Sequence, residues 1–221
     1  AAATIVIVVV VDSMRRRIIQ FLLSGNMAGI LAVLYCCVAG LPAPFAAVHL
    51  LFINLLTDSL PALAIGMESV DERLLQDTPR DPSEKLLNSS FIRNMLIYGS
   101  MIAAVTITAF YLGDPVHTVQ TAMTMAFATL TLARLFHGFN LRSKYSLVRI
   151  GLCSNRWSIA AFGVGVLLLV LVLCIPAARS AFAASSLTGA QTASVAILAG
   201  LPTIIIQGFR ILRERLSGTD R

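Results

Sequence analysis

Two charged side chains inside apolar segments are the first candidates for chemistry in this sequence. Asp58 lies in the apolar block 44–67, and Arg134 lies in the apolar block 117–139. If these blocks cross a membrane, each charge costs roughly 2.5–3.5 kcal/mol at the bilayer centre, so we expect both side chains to have a function. Asn54 precedes Asp58 by four residues, which places both on one face of an α-helix.

Further oxygen-bearing side chains accompany this pair. Thr57 is adjacent to Asp58, and Asn26 lies in an earlier apolar block. From the rise of a helix, Asn26 and Asp58 lie about 4–5 Å to the cytoplasmic side of the bilayer centre and Arg134 about 9 Å. Amide, hydroxyl and carboxylate oxygens suit hard cations, calcium before magnesium or manganese. The predicted metal ligands are Asn54, Asp58, Asn26 and Thr57, with Arg134 as a counter-charge.

A purely structural interpretation uses the same groups. Asn54 and Asp58 would then satisfy each other and Arg134, as polar contacts that join neighbouring helices. Spacing alone leaves both interpretations open. The sequence has no Gly-rich phosphate loop, and we assign no catalytic and no cofactor-binding residue.

The composition predicts that the elements carrying these residues lie in a bilayer. Of the 221 residues, 57% are hydrophobic and only 13% are charged, about half of the roughly 25% that is usual in globular proteins. The mean hydropathy is +0.83. The net charge of +6 comes from basic residues between apolar blocks. This placement indicates membrane topology and argues against a nucleic-acid partner.

The predicted fold is an all-α membrane protein, a bundle of six transmembrane helices. Fifteen of the seventeen basic residues fall on one side of such a bundle, so we expect both termini to be cytoplasmic. The apolar blocks long enough to span are 18–40, 44–67, 90–112, 117–139, 157–178 and 190–210. The predicted regions are an N-terminal segment or stalk (1–17), helices one and two with the ion site (18–67), a cytoplasmic loop (68–89), helices three to six (90–212) and a cytoplasmic tail (213–221).

The first residues of the chain do not fit this pattern. Residues 1–11 are a run of alanine and β-branched residues, which would reach only about 17 Å as a helix. Because β-branched residues favour strands, we expect an extended segment here.

The residues around Asp58 resemble a known family. The stretch Asn54-Leu-Leu-Thr57-Asp58-Ser-Leu-Pro61 resembles the sixth transmembrane helix of the P-type calcium-transporting ATPases. Other motifs that resemble the same family are Phe21–Asn26 (fifth helix), Pro79-Arg80-Asp81-Pro82 (the loop after the sixth) and Met125–Arg134 with Asn140 (eighth helix). The resemblance covers about residues 12–215 and implies the last six of ten transmembrane helices, in a pump of the bacterial single-site type.

The resemblance implies roles for individual residues. It makes Asn54 and Asp58 calcium ligands, and it places Asn26 and Thr57 at the positions of further ligands. Two-site pumps carry glutamates at the positions of Gly29 and Arg134. We therefore expect a single transported ion, with the guanidinium in place of the other ion and less need for counter-transported protons. The implied location is the bacterial plasma membrane.

Several parts of such a pump are not found in this sequence. It contains no Asp-Lys-Thr-Gly phosphorylation motif and nothing that resembles the nucleotide domains or the fourth helix. We therefore expect no ATP hydrolysis by this chain alone, with ATP and Mg²⁺ acting through N-terminal pump domains on a longer chain or in trans. The alternative function is a non-catalytic membrane module that binds or scaffolds a partner protein.

Overall fold

The protein is a bundle of helices. A computed structural model describes residues 2–68 and 88–216, and the side chains of residues 11–55, 58–68 and 88–216. The helices are α1 (Ala2–Val38), α2 (Ala47–Phe52), α3 (Ser59–Gly66), α4 (Ser89–Leu112), α5 (Val119–Asn140), α6 (Leu147–Ile150), α7 (Arg156–Cys174), α8 (Pro176–Ala181) and α9 (Gly189–Leu216). A π-helical turn, Ile53–Thr57, joins α2 to α3, and a 3-10 turn, Leu152–Ser154, precedes α7. The described residues contain no strand, so the predicted all-α class is confirmed.

Five stretches are long and apolar enough to cross a bilayer. They are Val11–Val38, Ala47–Gly66, Ser89–Leu112, Arg156–Cys174 and Gly189–Leu216. These coincide with five of the six predicted spans, and the protein is an integral membrane protein. The sixth predicted span corresponds to α5, which has 22 residues but is not among the five. The number of six spans and the orientation of the termini stay predictions.

The polarity of α5 follows from its place at the centre of the bundle. It packs against α1, α3, α4, α7 and α9. Its buried residues include five polar side chains, those of Thr129, Thr131, Arg134, His137 and Asn140. Because other helices rather than lipid tails surround α5, polar side chains can pair with protein groups there. The helix therefore has the length of a span but is less apolar than the five stretches above.

The expectation of an extended segment at residues 1–11 is wrong. Residues 2–11 are the first turns of α1, which continues without a break to Val38. A helix satisfies its own backbone hydrogen bonds, whereas a strand needs a partner, and the described residues supply none. The unfavourable helix propensity of valine and isoleucine is small beside that requirement.

Some predictions concern residues outside the described part of the chain. They are most of the loop 68–89, including Pro79–Pro82, and residues 217–221 of the tail. The side chain of Thr57 also lies outside the described residues, although its backbone belongs to the π-helical turn.

The turn between α4 and α5 brings two backbones into close approach. A Cβ atom added at Gly113 would lie 2.4 Å from the Cα of Ala122. This is far inside van der Waals contact, and the atom it would meet is backbone. The close approach therefore requires glycine at this position.

We expect Gly113→Ala to destabilise the protein by about 1–3 kcal/mol, because the added methyl group overpacks the turn. Gly163→Ala in α7 is the matched control, since a Cβ there meets nothing within 4 Å. The control should be neutral or stabilise the protein by up to about 1 kcal/mol through helix propensity. The unfolding midpoints of both variants are measured by heating them in detergent micelles and reading the folded fraction by size-exclusion chromatography. Equal midpoints for the two variants would contradict the assignment.

Candidate cation site

The helix that carries Asp58 is interrupted immediately before it. The Asp58 N–H donates to the carbonyl of Ile53 at 2.9 Å, five residues back, instead of the residue four back. Such a π-helical turn inserts one extra residue into the helix, and it is frequent at functional sites. Asp58 is buried, whereas Asn54 is exposed. That Asn54 and Asp58 are ligands of one ion stays a prediction.

Asp58 forms a buried ion pair with Arg134. Nη2 of Arg134 donates to Oδ2 of Asp58, and the two residues are 2% and 3% exposed. The same Nη2 also donates to Oδ1 of Asn26 on α1, at 3.2 Å. The structure thus brings together three of the residues singled out in the sequence, from three separate stretches of the chain.

The ion pair leaves two polar atoms without partners. Within the described residues, Asp58 Oδ1 and Arg134 Nε are buried and form no hydrogen bond. A buried polar atom without a partner costs roughly 1–3 kcal/mol. One carboxylate oxygen is therefore available for a further ligand, and a hard cation or a water would satisfy it. The described part of the chain holds no cluster of three His, Cys, Asp or Glu side chains that fits a metal.

Gly25 makes room for the guanidinium group. A Cβ atom at this position of α1 would lie 2.4 Å from Nε of Arg134 and 2.6 Å from Cζ. Arg134 therefore reaches Asp58 across the bare backbone of α1. One helical turn further, a Cβ at Gly29 would meet only the Leu130 side chain, at 3.9 Å.

Aromatic rings lie on α5 to either side of Arg134. Phe127 stacks on His49 with ring centroids 4.3 Å apart, and both are fully buried. In the other direction, the buried ring of His137 lies 6.2 Å from Phe21 and 5.0 Å from Tyr98. These rings exclude water along α5, which strengthens the electrostatic attraction within the ion pair.

A second ion pair, between the buried Arg142 and the partly buried Glu68, was not foreseen from the sequence. Arg142 holds Glu68 with two bonds, Nε to Oε2 at 2.8 Å and Nη2 to Oε1 at 2.9 Å. Its remaining donors reach the carbonyl of Leu152 and the hydroxyl of Ser154. Asn155 Nδ2 donates to the same carboxylate, at 2.7 Å. The one signal in the sequence is Asn155, a residue type that caps helices, directly before an apolar block.

The comparisons with known proteins agree with this architecture. Residues 42–212 match the family model described as "Cation transporting ATPase, C-terminus". The chain belongs to this family. The resemblance to P-type calcium-transporting ATPases is thereby confirmed at the level of the family.

Curated members of the pump family are similar to nearly the whole chain. The chain is 34% identical over 207 residues to "Calcium-transporting ATPase 1" of Lactococcus lactis and 31% identical over 203 residues to "Calcium-transporting ATPase" of Bacillus subtilis. It is 27% identical over 215 residues to human "Calcium-transporting ATPase type 2C member 1". These alignments cover 93%, 90% and 93% of this chain but only 23% of each relative. The chain therefore spans about a quarter of the length of these relatives.

Removing one partner of the Asp58–Arg134 pair should strongly destabilise the protein. We expect Asp58→Asn or Arg134→Met to lower the unfolding free energy by about 3–5 kcal/mol, because each leaves a buried group unpaired. The double variant should lose less unfolding free energy than the two single variants lose in sum. Thermal or denaturant unfolding of all four proteins in micelles measures the coupling, and strictly additive losses would contradict the pair.

Substituting Gly25 should displace Arg134 without altering either charge. We expect Gly25→Ala to destabilise the protein by about 1–3 kcal/mol through overpacking against the guanidinium. Gly29→Ala on the same helix serves as the matched control and should change stability by no more than about 1 kcal/mol. The same unfolding assay compares them. A larger loss for the control would contradict this account of Gly25.

Proposed function

We propose that this chain is the C-terminal membrane region of a calcium pump, in which Asp58 is the charged ligand of the transported ion. The observation that carries the proposal is the free Oδ1 of Asp58, a buried carboxylate oxygen without a hydrogen-bond partner among the described residues. A carboxylate oxygen in a dry site binds a hard cation such as calcium. The names of the bacterial and human relatives support calcium as the ion.

We further propose a single ion per transport cycle. The guanidinium of Arg134 contributes one fixed positive charge beside Asp58. A second divalent cation at this level would be repelled by that charge at short range, and the low local dielectric strengthens the repulsion. After the ion leaves, the same guanidinium neutralises Asp58, which lessens the need for a counter-transported proton.

The proposed site is incomplete within the described residues. Calcium takes six to eight oxygen ligands, whereas Asp58 and Asn26 supply only a carboxylate and an amide near Arg134. Asn54 and Asn26 are exposed on the surface of this bundle, where polar side chains facing lipid would be unfavourable. We propose that a further helix of a longer protein covers them and completes the site, with Asn54 and Thr57 as additional ligands.

The remaining parts of the pump are proposals of the same kind. ATP and Mg²⁺ would act through phosphorylation and nucleotide domains that precede this region in the longer protein. Manganese is the alternative ion, because it accepts the same oxygen ligands. The similarity to bacterial pumps supports a bacterial plasma membrane.

A non-catalytic membrane module is the second candidate function. It is favoured by the pairing of Asp58 with Arg134, since a paired carboxylate is also a stable contact between helices. In that case calcium would have no effect on Asp58, whereas the pump proposal requires one.

Calcium should protect Asp58 from an apolar carbodiimide. The test uses the full-length protein that contains this chain, and mass spectrometry measures the labelling of each carboxyl group. We expect calcium, but not magnesium at the same concentration, to slow labelling of Asp58. Asp114 is the internal control, because it is half-exposed and forms its contacts within the α4–α5 turn. Labelling of Asp58 that does not depend on calcium would favour the membrane module.

Replacing the guanidinium with a carboxylate should change the number of bound ions. We expect Arg134→Glu to raise calcium binding from one ion to two per protein, since it removes a cation and adds a ligand. Equilibrium binding of radioactive calcium to the full-length protein measures the ratio. Arg134→Gln is the control, because it removes the charge without supplying a carboxylate. An unchanged ratio for Arg134→Glu would contradict the single-ion proposal.

A further inference from the structure

The two ion pairs join the same two parts of the bundle. Asp58 precedes α3 and pairs with Arg134 inside α5. Glu68 follows the end of α3 and pairs with Arg142, two residues beyond the end of α5. We call the first the inner pair and the second the outer pair. Together they link α3 to α5 at both ends of α3.

The outer pair is saturated with hydrogen bonds, and the inner pair is not. Nε, Nη1 and Nη2 of Arg142 all donate, and both oxygens of Glu68 accept. In the inner pair, Oδ1 of Asp58 and Nε of Arg134 have no partner within the described residues. Separating an ion pair whose atoms are all hydrogen-bonded costs much free energy. The outer pair therefore stays closed more firmly than the inner pair.

Two further contacts hold the end of α3 beside the outer pair. Asn155 Nδ2 donates to the carbonyl of Ala64 at 3.0 Å, as well as to Glu68. Between the two pairs, α3 touches α5 where a Cβ at Gly138 would lie 3.1 Å from the Cβ of Pro61. These contacts hold α3 against both α5 and the start of α7.

The other end of α3 is much less constrained. It begins at Asp58, directly after the π-helical turn Ile53–Thr57. A π-helical turn is a site where a helix absorbs strain or bends. The partly satisfied inner pair cannot by itself fix the rotation of α3 next to such a turn. The constraint must come from the other end of the helix.

We propose that Glu68 and Arg142 are positioning residues, which fix the register of α3 on α5 so that Asp58 faces Arg134. Their action is indirect, because about ten residues separate Glu68 from Asp58, or about 15 Å along a helix. Loss of the outer pair lets α3 rotate about the Pro61–Gly138 contact, which separates Asp58 from the guanidinium. The positioning of α3 by the outer pair does not depend on the proposed function. Only its importance for transport rests on that function.

The test measures the reactivity of Asp58 in the absence of calcium. An apolar carbodiimide labels a carboxyl group that it can reach, and burial against Arg134 shields Asp58 from it. We expect Glu68→Gln and Arg142→Gln to raise the labelling rate of Asp58 about tenfold, which corresponds to about 1.4 kcal/mol of coupling. That value lies within the range for residues that share a hydrogen-bonded network. The full-length protein is used in nanodiscs, with labelling of Asp58 read by mass spectrometry.

Glu214→Gln is the matched control for general loosening. The Glu214 carboxylate on α9 accepts from the N–H and the hydroxyl of Ser146, both at 2.6 Å, so it also fastens a helix to the loop that follows α5. It makes no described contact with α3. We expect the control to label Asp58 at the wild-type rate. An equal rise in the control would overturn the proposal, as would an unchanged rate in folded Glu68→Gln and Arg142→Gln.

A conservative variant covers the case in which the glutamine variants do not fold. Glu68→Asp keeps the charge but shortens the side chain by one methylene group, so it weakens the two-bond contact with Arg142. Faster labelling of Asp58 in this variant supports the proposal, and an unchanged rate overturns it. Failure of the proposed function has a different result: calcium would give no protection, while the variants would still raise the labelling rate without calcium.

Discussion

The attraction between Asp58 and Arg134 is the interaction on which the bundle is organised. Two opposite charges at the centre of an apolar structure are tolerated only together, because either one alone would be costly in hydrocarbon. Their meeting requires a glycine on α1, a break before α3 and a polar helix, α5, enclosed by its neighbours. Each of these features is unfavourable or unusual by itself. Together they make room for one carboxylate, one guanidinium and one amide in contact with each other.

The ion pair also relates the two functions proposed for the chain. A guanidinium that satisfies Asp58 is a stable contact between helices, yet it leaves one carboxylate oxygen free. A cation that reaches this oxygen therefore meets a site already arranged around the charge of Asp58. The Glu68–Arg142 pair has the opposite character, since each guanidinium nitrogen donates and both carboxylate oxygens accept. The structure thus combines one incomplete and one complete ion pair within a single helix–helix contact.

The sequence predicted the participants better than their geometry. Asp58, Arg134 and Asn26 stand out because they are polar residues inside apolar blocks, and hydrogen bonds from Arg134 join the three. The π-helical turn before Asp58 was not predictable, because no sequence pattern identifies the change in its backbone hydrogen bonds. The Glu68–Arg142 pair was missed because its members lie in polar connections, where charged residues are common. Residues 2–11 form a helix against their β propensity, since the backbone has no described strand to pair with.

The enclosed position of α5 has a consequence for how the protein enters its membrane. A segment that carries buried threonines, an arginine and a histidine gains little by leaving the insertion machinery for lipid on its own. Its apolar neighbours α4, α7 and α9 meet the requirement for independent entry by length and hydropathy. We therefore expect α5 to integrate during synthesis only as part of a group, sheltered by helices made before and after it. The Asp58–Arg134 pair would then begin to form before α9 has left the ribosome.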